Sequence, residues 1–111
     1  MNKVNIKPLS VNRVWAGRRF KTPDYKTYEI ELMSLLKGKL TVDKNEKIHL
    51  IIHAGISKSS DIDNLLKPFI DILQKRYEFN DKQIYKITAS KEDVKKGAEF
   101  ISFDFKEMPN L

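Results

Sequence analysis

The run Lys47-Ile48-His49-Leu50-Ile51-Ile52-His53-Ala54 limits the folds open to this chain more than any other feature. It is β-branched and apolar, and turn-prone Asp43, Asn45 and Gly55 flank it, which together read as a central strand. A central strand needs partners, and three other segments carry the period-2 alternation that supplies them. Val4 and Ile6 alternate with polar neighbours until Pro8 ends the segment. Gln83-Ile84-Tyr85-Lys86-Ile87-Thr88-Ala89 and Glu99-Phe100-Ile101-Ser102-Phe103-Asp104-Phe105 alternate as well. The Lys95-Lys96-Gly97 turn between these two predicts an antiparallel hairpin.

Two segments have helical spacing instead. Thr22 followed by Pro23 is a start signal, because the hydroxyl can cap free amides and Pro suits the first helical position. Tyr25, Tyr28, Leu32, Leu35 and Leu36 then recur on one face, and Gly38 after Lys37 closes a helix expected over 23–37. Ile62, Leu65, Leu66, Phe69, Leu73 and Tyr77 mark the buried face of a second helix starting near Asn64, which puts Pro68 in its first turn, where a missing amide does least harm. Residues 9–21 hold no period and read as a long loop, and residues 107–111 as a frayed tail.

The resulting order, β, loop, α, β, α, β, β, argues an α+β fold: a mixed β-sheet with two α-helices packed on one face. At 111 residues the expectation is one domain spanning 1–111. A core of this size leaves little apolar surplus, which makes pairing with a second copy a reasonable way to gain buried area. The charge of +6, from 21 Lys and Arg against 15 Asp and Glu, favours a polyanion such as nucleic acid. With no cysteine, disulfides and thiolate metal sites are excluded. Charged and polar residues interrupt Met1–Lys7 before any signal-peptide or membrane-spanning run can form, so the expectation is a cytoplasmic protein with no membrane association.

Candidate chemistry gathers after the central strand. Asp61-Ile62-Asp63 sets two carboxylates two residues apart before a helix, and in an extended segment they would point to one side. Their repulsion is relieved by a cation, by solvent or by a cap, and oxygen ligands of this type suit magnesium or manganese. Lys67 follows Asp63 by one helical turn, where it either reaches over that site to steady a phosphate or forms an ordinary ion pair with Asp63 or Asp71. Asn80-Asp81 sits where Asx residues make good turns, yet Asp81 is also placed to bring a third carboxylate toward the same metal. His49 and His53 share a strand face, and with no third ligand nearby they read as packing or surface residues.

Taken together, Asp61-Ile62-Asp63-Asn64-Leu65-Leu66-Lys67-Pro68-Phe69-Ile70-Asp71-Ile72-Leu73 followed by Phe79-Asn80-Asp81-Lys82-Gln83-Ile84 resembles the RusA family of Holliday junction resolvases. The pattern D-x-D-N-x-x-K, an apolar helix, then D-x-Q-[IV], carries the resemblance. Upstream, Asn12-Arg13 and the Gly17-Arg18 segment resemble that family's basic loop. The resemblance is weakest over 1–10 and 37–50. It implies a homodimeric, Mg2+-dependent endonuclease, with Mn2+ able to substitute, that recognises four-way junctions by shape and nicks two strands symmetrically. By position, Asp61, Asp63 and Asp81 match the essential carboxylates and metal ligands, and Lys67 matches the catalytic lysine. One departure is Asn80, where family members often carry a second Asp.

Asn12, Arg13, Arg18, Arg19, Lys21 and Lys26 are the residues expected to contact the DNA backbone, positioning it without reading bases. Trp15 and Phe20 either stack on bases at an opened junction or pack on the domain as a lid. Two other functions fit the same residues: a metal-dependent nuclease for other branched substrates, and a non-catalytic branched-DNA-binding module whose acidic cluster is structural.

Overall fold

A computed structural model of the chain describes residues 1–17, 20–36, 38 and 42–108. The apolar run of the sequence is β4 (Ile48–Ile56), an inner strand of a four-stranded sheet. On one side it pairs antiparallel with β6 (Phe100–Glu107), which carries the short β1 (Asn2–Val4) on its outer edge. On the other it pairs parallel with β5 (Ile84–Asp93), the outermost strand. Ile48, Leu50, Ile52, Ala54 and Ile56 are buried on one face of β4, while His49, Ile51 and His53 are half-buried on the other.

Both helices cover the first of these faces, giving the expected α+β architecture with a mixed sheet. Helix α1 (Pro23–Leu35) contributes Tyr25, Tyr28 and Leu32 to the core, and α2 (Ile62–Tyr77) contributes Leu65, Phe69, Ile70, Ile72, Leu73 and Tyr77. Edge-on aromatic contacts join α2 to β6, with Phe69 and Phe103 centroids 5.5 Å apart and Tyr77 and Phe105 6.0 Å apart.

The hairpin expected between 83–89 and 99–105 is not formed, because β4 lies between β5 and β6. The turn signal at Lys95-Lys96-Gly97 is real, with Gly97 at φ 96°, but it carries the chain across the end of β4 rather than back along β5. Val94 N–H donates to the Ile56 carbonyl there, at 2.8 Å. Placing the most apolar strand inside satisfies its backbone on both edges, and local turn chemistry does not encode that gain.

Three smaller expectations also change. Helix α2 begins at Ile62, so Pro68 falls in its second turn. It removes the bond to the Asn64 carbonyl, and its fully buried ring offsets the loss by packing. The expected loop 9–21 contains a 3-10 turn at Val11–Arg13 and a small antiparallel ribbon of β2 (Trp15–Ala16) and β3 (Phe20–Lys21), strands too short to show a period. At the other end, β6 runs to Glu107 and the Met108 N–H donates to the Lys47 carbonyl, so the expected tail is paired that far. Helix α1 ends at Leu35; Lys37, the last residue of its expected span, lies outside the described residues, as do 109–111.

Candidate active site

Asp61 occupies the N-cap of α2, the position where Asp normally accepts a hydrogen bond from a free helical amide. Its side chain makes no such bond. Asp63 lies in the first turn, where the positive end of the helix dipole favours a carboxylate. The helix therefore starts between the two acids, and the single extended segment expected to present both is absent. Both are exposed, and among the described residues neither carboxylate has a hydrogen-bond or ion-pair partner. They stand just beyond the end of the central strand, where Lys91 of β5 donates to the Ser60 carbonyl at 2.6 Å and anchors the approach to the cap.

Asp81 opens a 3-10 turn, Asp81–Gln83, that leads into β5. Asn80 caps this turn, accepting from the Lys82 N–H at 2.9 Å while its own N–H donates to Gln83 Oε1 at 3.0 Å. Gln83 Nε2 also reaches the carbonyls of Asp43 at 2.7 Å and Glu46 at 3.1 Å, fastening the turn to the entry of β4. Asn80 thus has the turn-forming role open to either Asx residue, and Asp81 is left exposed with its carboxylate unengaged among the described residues.

The register Ile48 to Ile84 and Ile56 to Asp93 puts the Asp81 turn beside the start of β4, whereas Asp61 and Asp63 follow its end. At ~3.3 Å per residue that strand is roughly 26 Å long. Consistent with this separation, no group of three or more His, Cys, Asp or Glu among the described residues is gathered as a metal-holding cluster. The donor chemistry, free carboxylate oxygens at a helix start and a turn, suits a hard divalent cation. The convergence of all three on one point is not present within the single chain.

Lys67 lies between the two groups. Its Nζ donates to Asp71 Oδ1 at 2.8 Å, so of the two ion pairs the spacing allowed, the one with Asp71 is formed. The Asp71 carboxylate raises the Lys67 pKa above the ordinary lysine value, and the charge of Asp81 adds at longer range. The ammonium is therefore held protonated within reach of Asp81's field.

The basic loop packs beside the start of α1. Thr22 Oγ1 donates to the Arg13 carbonyl and accepts from the Tyr25 N–H at 3.1 Å, and the Thr22 N–H donates to the Val14 carbonyl at 2.9 Å. Asn12 and Arg13 sit in the 3-10 turn, with Arg13 3.9 Å from the exposed Asp24. Lys21 Nζ lies 4.0 Å from the Trp15 ring centroid and 4.3 Å from that of Tyr25, and Lys26 is exposed on α1. Trp15 is 50% exposed and Phe20 73%, so neither packs down as a lid. Arg18 and Arg19, between the ribbon strands, lie outside the described residues.

A cleft of about 470 Å³ separates this loop from the Ser57–Ser60 approach to Asp61. Lys7, Arg13 and Lys58 bring cations to its walls, and the buried Tyr28, whose hydroxyl has no partner, helps line it. Burial raises the pKa of that phenol well above its usual value, so it stays protonated as a donor. Sequence reasoning missed Lys58, Tyr28 and Lys91. Lys58 sits in a short polar stretch, Tyr28 reads as core, and the position of Lys91 follows from a parallel pairing no local signal reveals. His49 and His53 behave as expected: His49 Nε2 lies 2.7 Å from Thr88 Oγ1, and His53 contacts Ser90 Oγ at 2.6 Å and Glu92 Oε1 at 3.0 Å.

The family model of endodeoxyribonuclease RusA matches residues 7–101 of the 111, including both acidic segments and the basic loop. The chain belongs to the RusA endodeoxyribonuclease family. Holliday junction resolution is the general activity that RusA membership implies, and branched DNA is the corresponding substrate class. A search of curated proteins found no match. Among the described residues no helix is long and apolar enough to cross a membrane.

Proposed function

We propose that this RusA-family chain is a single-domain, cytoplasmic, Mg2+-dependent resolvase that acts as a homodimer and nicks two strands of a four-way junction symmetrically. The observation that carries the reading is the N-cap acid that does not cap. Asp61 stands at a helix start with its carboxylate free, Asp63 follows one residue into the helix, and both fall in the RusA-matched segment. Structural carboxylates at such positions normally find a partner. These two are left available to a cation.

In this proposal Asp61, Asp63 and Asp81, which one copy alone does not bring together, would hold Mg2+, or Mn2+ in its place, in the homodimer. When bound, the ion supplies activation of water at neutral pH and neutralisation of charge on the scissile phosphate. The chain's own groups do the rest. Lys67, kept protonated by Asp71, offers a fixed positive charge to the negative charge that develops in phosphoryl transfer. Asn12, Arg13, Arg18, Arg19, Lys21 and Lys26 hold the DNA backbone so that the phosphate meets the carboxylates in a defined orientation. Exposed Trp15 and Phe20 on the ribbon are available to stack on bases at the branch point.

The test is Mg2+-dependent nicking of a synthetic four-way junction, with linear duplex alongside, by the unmodified protein and by Asp63→Asn after circular dichroism shows both folded. Paired nicks in the junction made by the unmodified protein, with the variant reduced at least about a hundredfold, are expected. Junction binding without cutting by either protein would sink the catalytic reading in favour of a binding module. Equal cutting of duplex and junction would sink the structure selectivity.

A further inference from the structure

The cleft beside the basic loop holds groups that backbone contacts alone do not use. Buried Ile6, Ile56 and Leu65 give it an apolar lining. Its polar lining mixes signs, with Lys7, Arg13 and Lys58 against Asp24, Glu31 and Glu99. Two of these acids are engaged within the protein. Asp24 lies 3.9 Å from Arg13, and Glu99 accepts from Ser57 Oγ and from the Gly97 N–H, each at 2.7 Å. Ser34 Oγ bonds to the Glu31 carbonyl, and the Glu31 carboxylate is left without a hydrogen-bond or ion-pair partner among the described residues. Tyr28 is 5% exposed in the cleft wall, and its hydroxyl is the one buried side-chain polar atom without a partner among the described residues.

A wall of cations alone would suit a DNA backbone and nothing finer. This cleft combines cations with an unengaged acceptor, a buried unengaged donor and apolar surface. Those are the needs of a whole nucleotide, which brings a phosphate, a base edge with donors and acceptors, and a flat ring face. The volume of about 470 Å³ falls within the ~300–1,000 Å³ range of small-molecule sites. One wall, Ser57–Ser60, runs directly into Asp61. We infer that the cleft captures one unstacked nucleotide of the strand whose phosphate meets Asp61 and Asp63, with Lys7 and Lys58 on its phosphate and Glu31 and the Tyr28 hydroxyl on its base edge. A base at an opened branch point has lost a stacking neighbour, so swinging it out costs less there than within a duplex. The cleft thus reads a base beside the nick and adds a preference for open branch points. The inference rests on the junction binding of the reading above, and not on cutting.

The site itself is tested by titrating deoxynucleoside monophosphates into isotope-labelled protein and following each amide by NMR, with inorganic phosphate as the control. Shifts at Thr27 and Ser57–Ser60 that the monophosphates produce and phosphate does not are expected. Tyr28→Phe loses only a hydroxyl that bonds nothing in the free protein, so the fold is kept while nucleotide affinity falls by about three- to tenfold. Glu31→Ala raises the net charge, so a site for backbone phosphate alone would bind more tightly, whereas loss of a base contact weakens binding. Equal shifts from phosphate, unchanged affinity in both variants, or tighter nucleotide binding by Glu31→Ala overturns the nucleotide site.

Capture from DNA is tested with a four-way junction carrying 2-aminopurine at each position beside the branch in turn, in EDTA so that no strand is cut. The probe brightens when unstacked, and at least about threefold brightening at one position is expected on protein binding. Glu31→Ala should reduce it with the junction still bound. Bound junction with no brightening at any position overturns the capture, whether or not the protein nicks in Mg2+. Brightening in EDTA without nicking in Mg2+ defeats the nuclease reading and leaves the cleft standing. If the junction is not bound at all, the DNA reading fails and the monophosphate titration still decides the cleft.

Discussion

Thr22 joins three local structures through one side chain: it caps α1, donates to the Arg13 carbonyl, and its backbone bonds to Val14. Thr22→Ala removes the cap and one loop tether, and should lower unfolding free energy by about 1–2 kcal/mol in urea titration. Glu29 is a second such residue. Lys75 Nζ donates to it at 2.6 Å and the Tyr25 hydroxyl at 3.1 Å, linking α1 to α2. The Lys75 bond holds the Glu29 pKa below the usual carboxylate value. A carboxyl lowered on folding stabilises the native state above its unfolded pKa and loses that contribution as pH falls through the folded one. Glu29→Gln should therefore be less stable at pH 7 by about 0.5–1 kcal/mol, and the difference should shrink as pH drops below 4.5 in thermal melts. Gly55 faces Phe100 across β4 and β6, and a Cβ there would collide with the ring. Gly55→Ala should cost about 1–3 kcal/mol, read in the same urea titration.

At the scale of elements, the 3-10 turn that carries Asp81 is held by one side chain. Gln83 closes its capping box and reaches two carbonyls before β4. Gln83→Ala leaves Asp81 chemically intact but releases the turn that positions it. Junction nicking should fall by about tenfold or more with junction affinity unchanged, since no phosphate contact is assigned to this turn. A parallel loss of affinity in gel-shift titration would count against a purely positioning role. Helix α2 carries the opposite arrangement: its middle is rigidly buried through Phe69, Ile72 and Leu73, and its first turn projects free acids. The buried part fixes where the exposed part points.

Across the whole molecule, Lys7, Arg13 and Lys58 line the cleft between the 3-10 turn and the Ser57–Ser60 approach to Asp61, and the chain carries a net +6. In the proposed DNA-binding role, contacts of Arg13, Arg18, Arg19, Lys21 and Lys26 with the backbone would release counterions, so junction affinity should fall with a log–log salt slope of about −4 to −5. Replacing Arg18 and Arg19 by Ala should flatten that slope by about 2 without changing the metal requirement for nicking. A slope unchanged by the double substitution would remove the ribbon from the DNA interface.

What the sequence alone determined is everything written in a local period or a local cap. The apolar, β-branched run 47–54 reads as an inner strand, Thr22-Pro23 starts α1 where expected, and apolar spacing marks the buried face of the second helix, with Lys67 on that helix and Asp61 and Asp63 near its start. The D-x-D-N-x-x-K and D-x-Q-[IV] segments identified the family by the same local means. Only the tertiary structure decided that β4 separates β5 from β6, that Lys67 turns to Asp71, that Lys91 bonds to Ser60, and that Asp81 lies beside the start of β4 while Asp61 follows its end. The reason is physical. A residue's neighbours along the chain fix which face it presents, but its strand partner is chosen by the burial and backbone satisfaction of the whole sheet, to which every distant segment contributes.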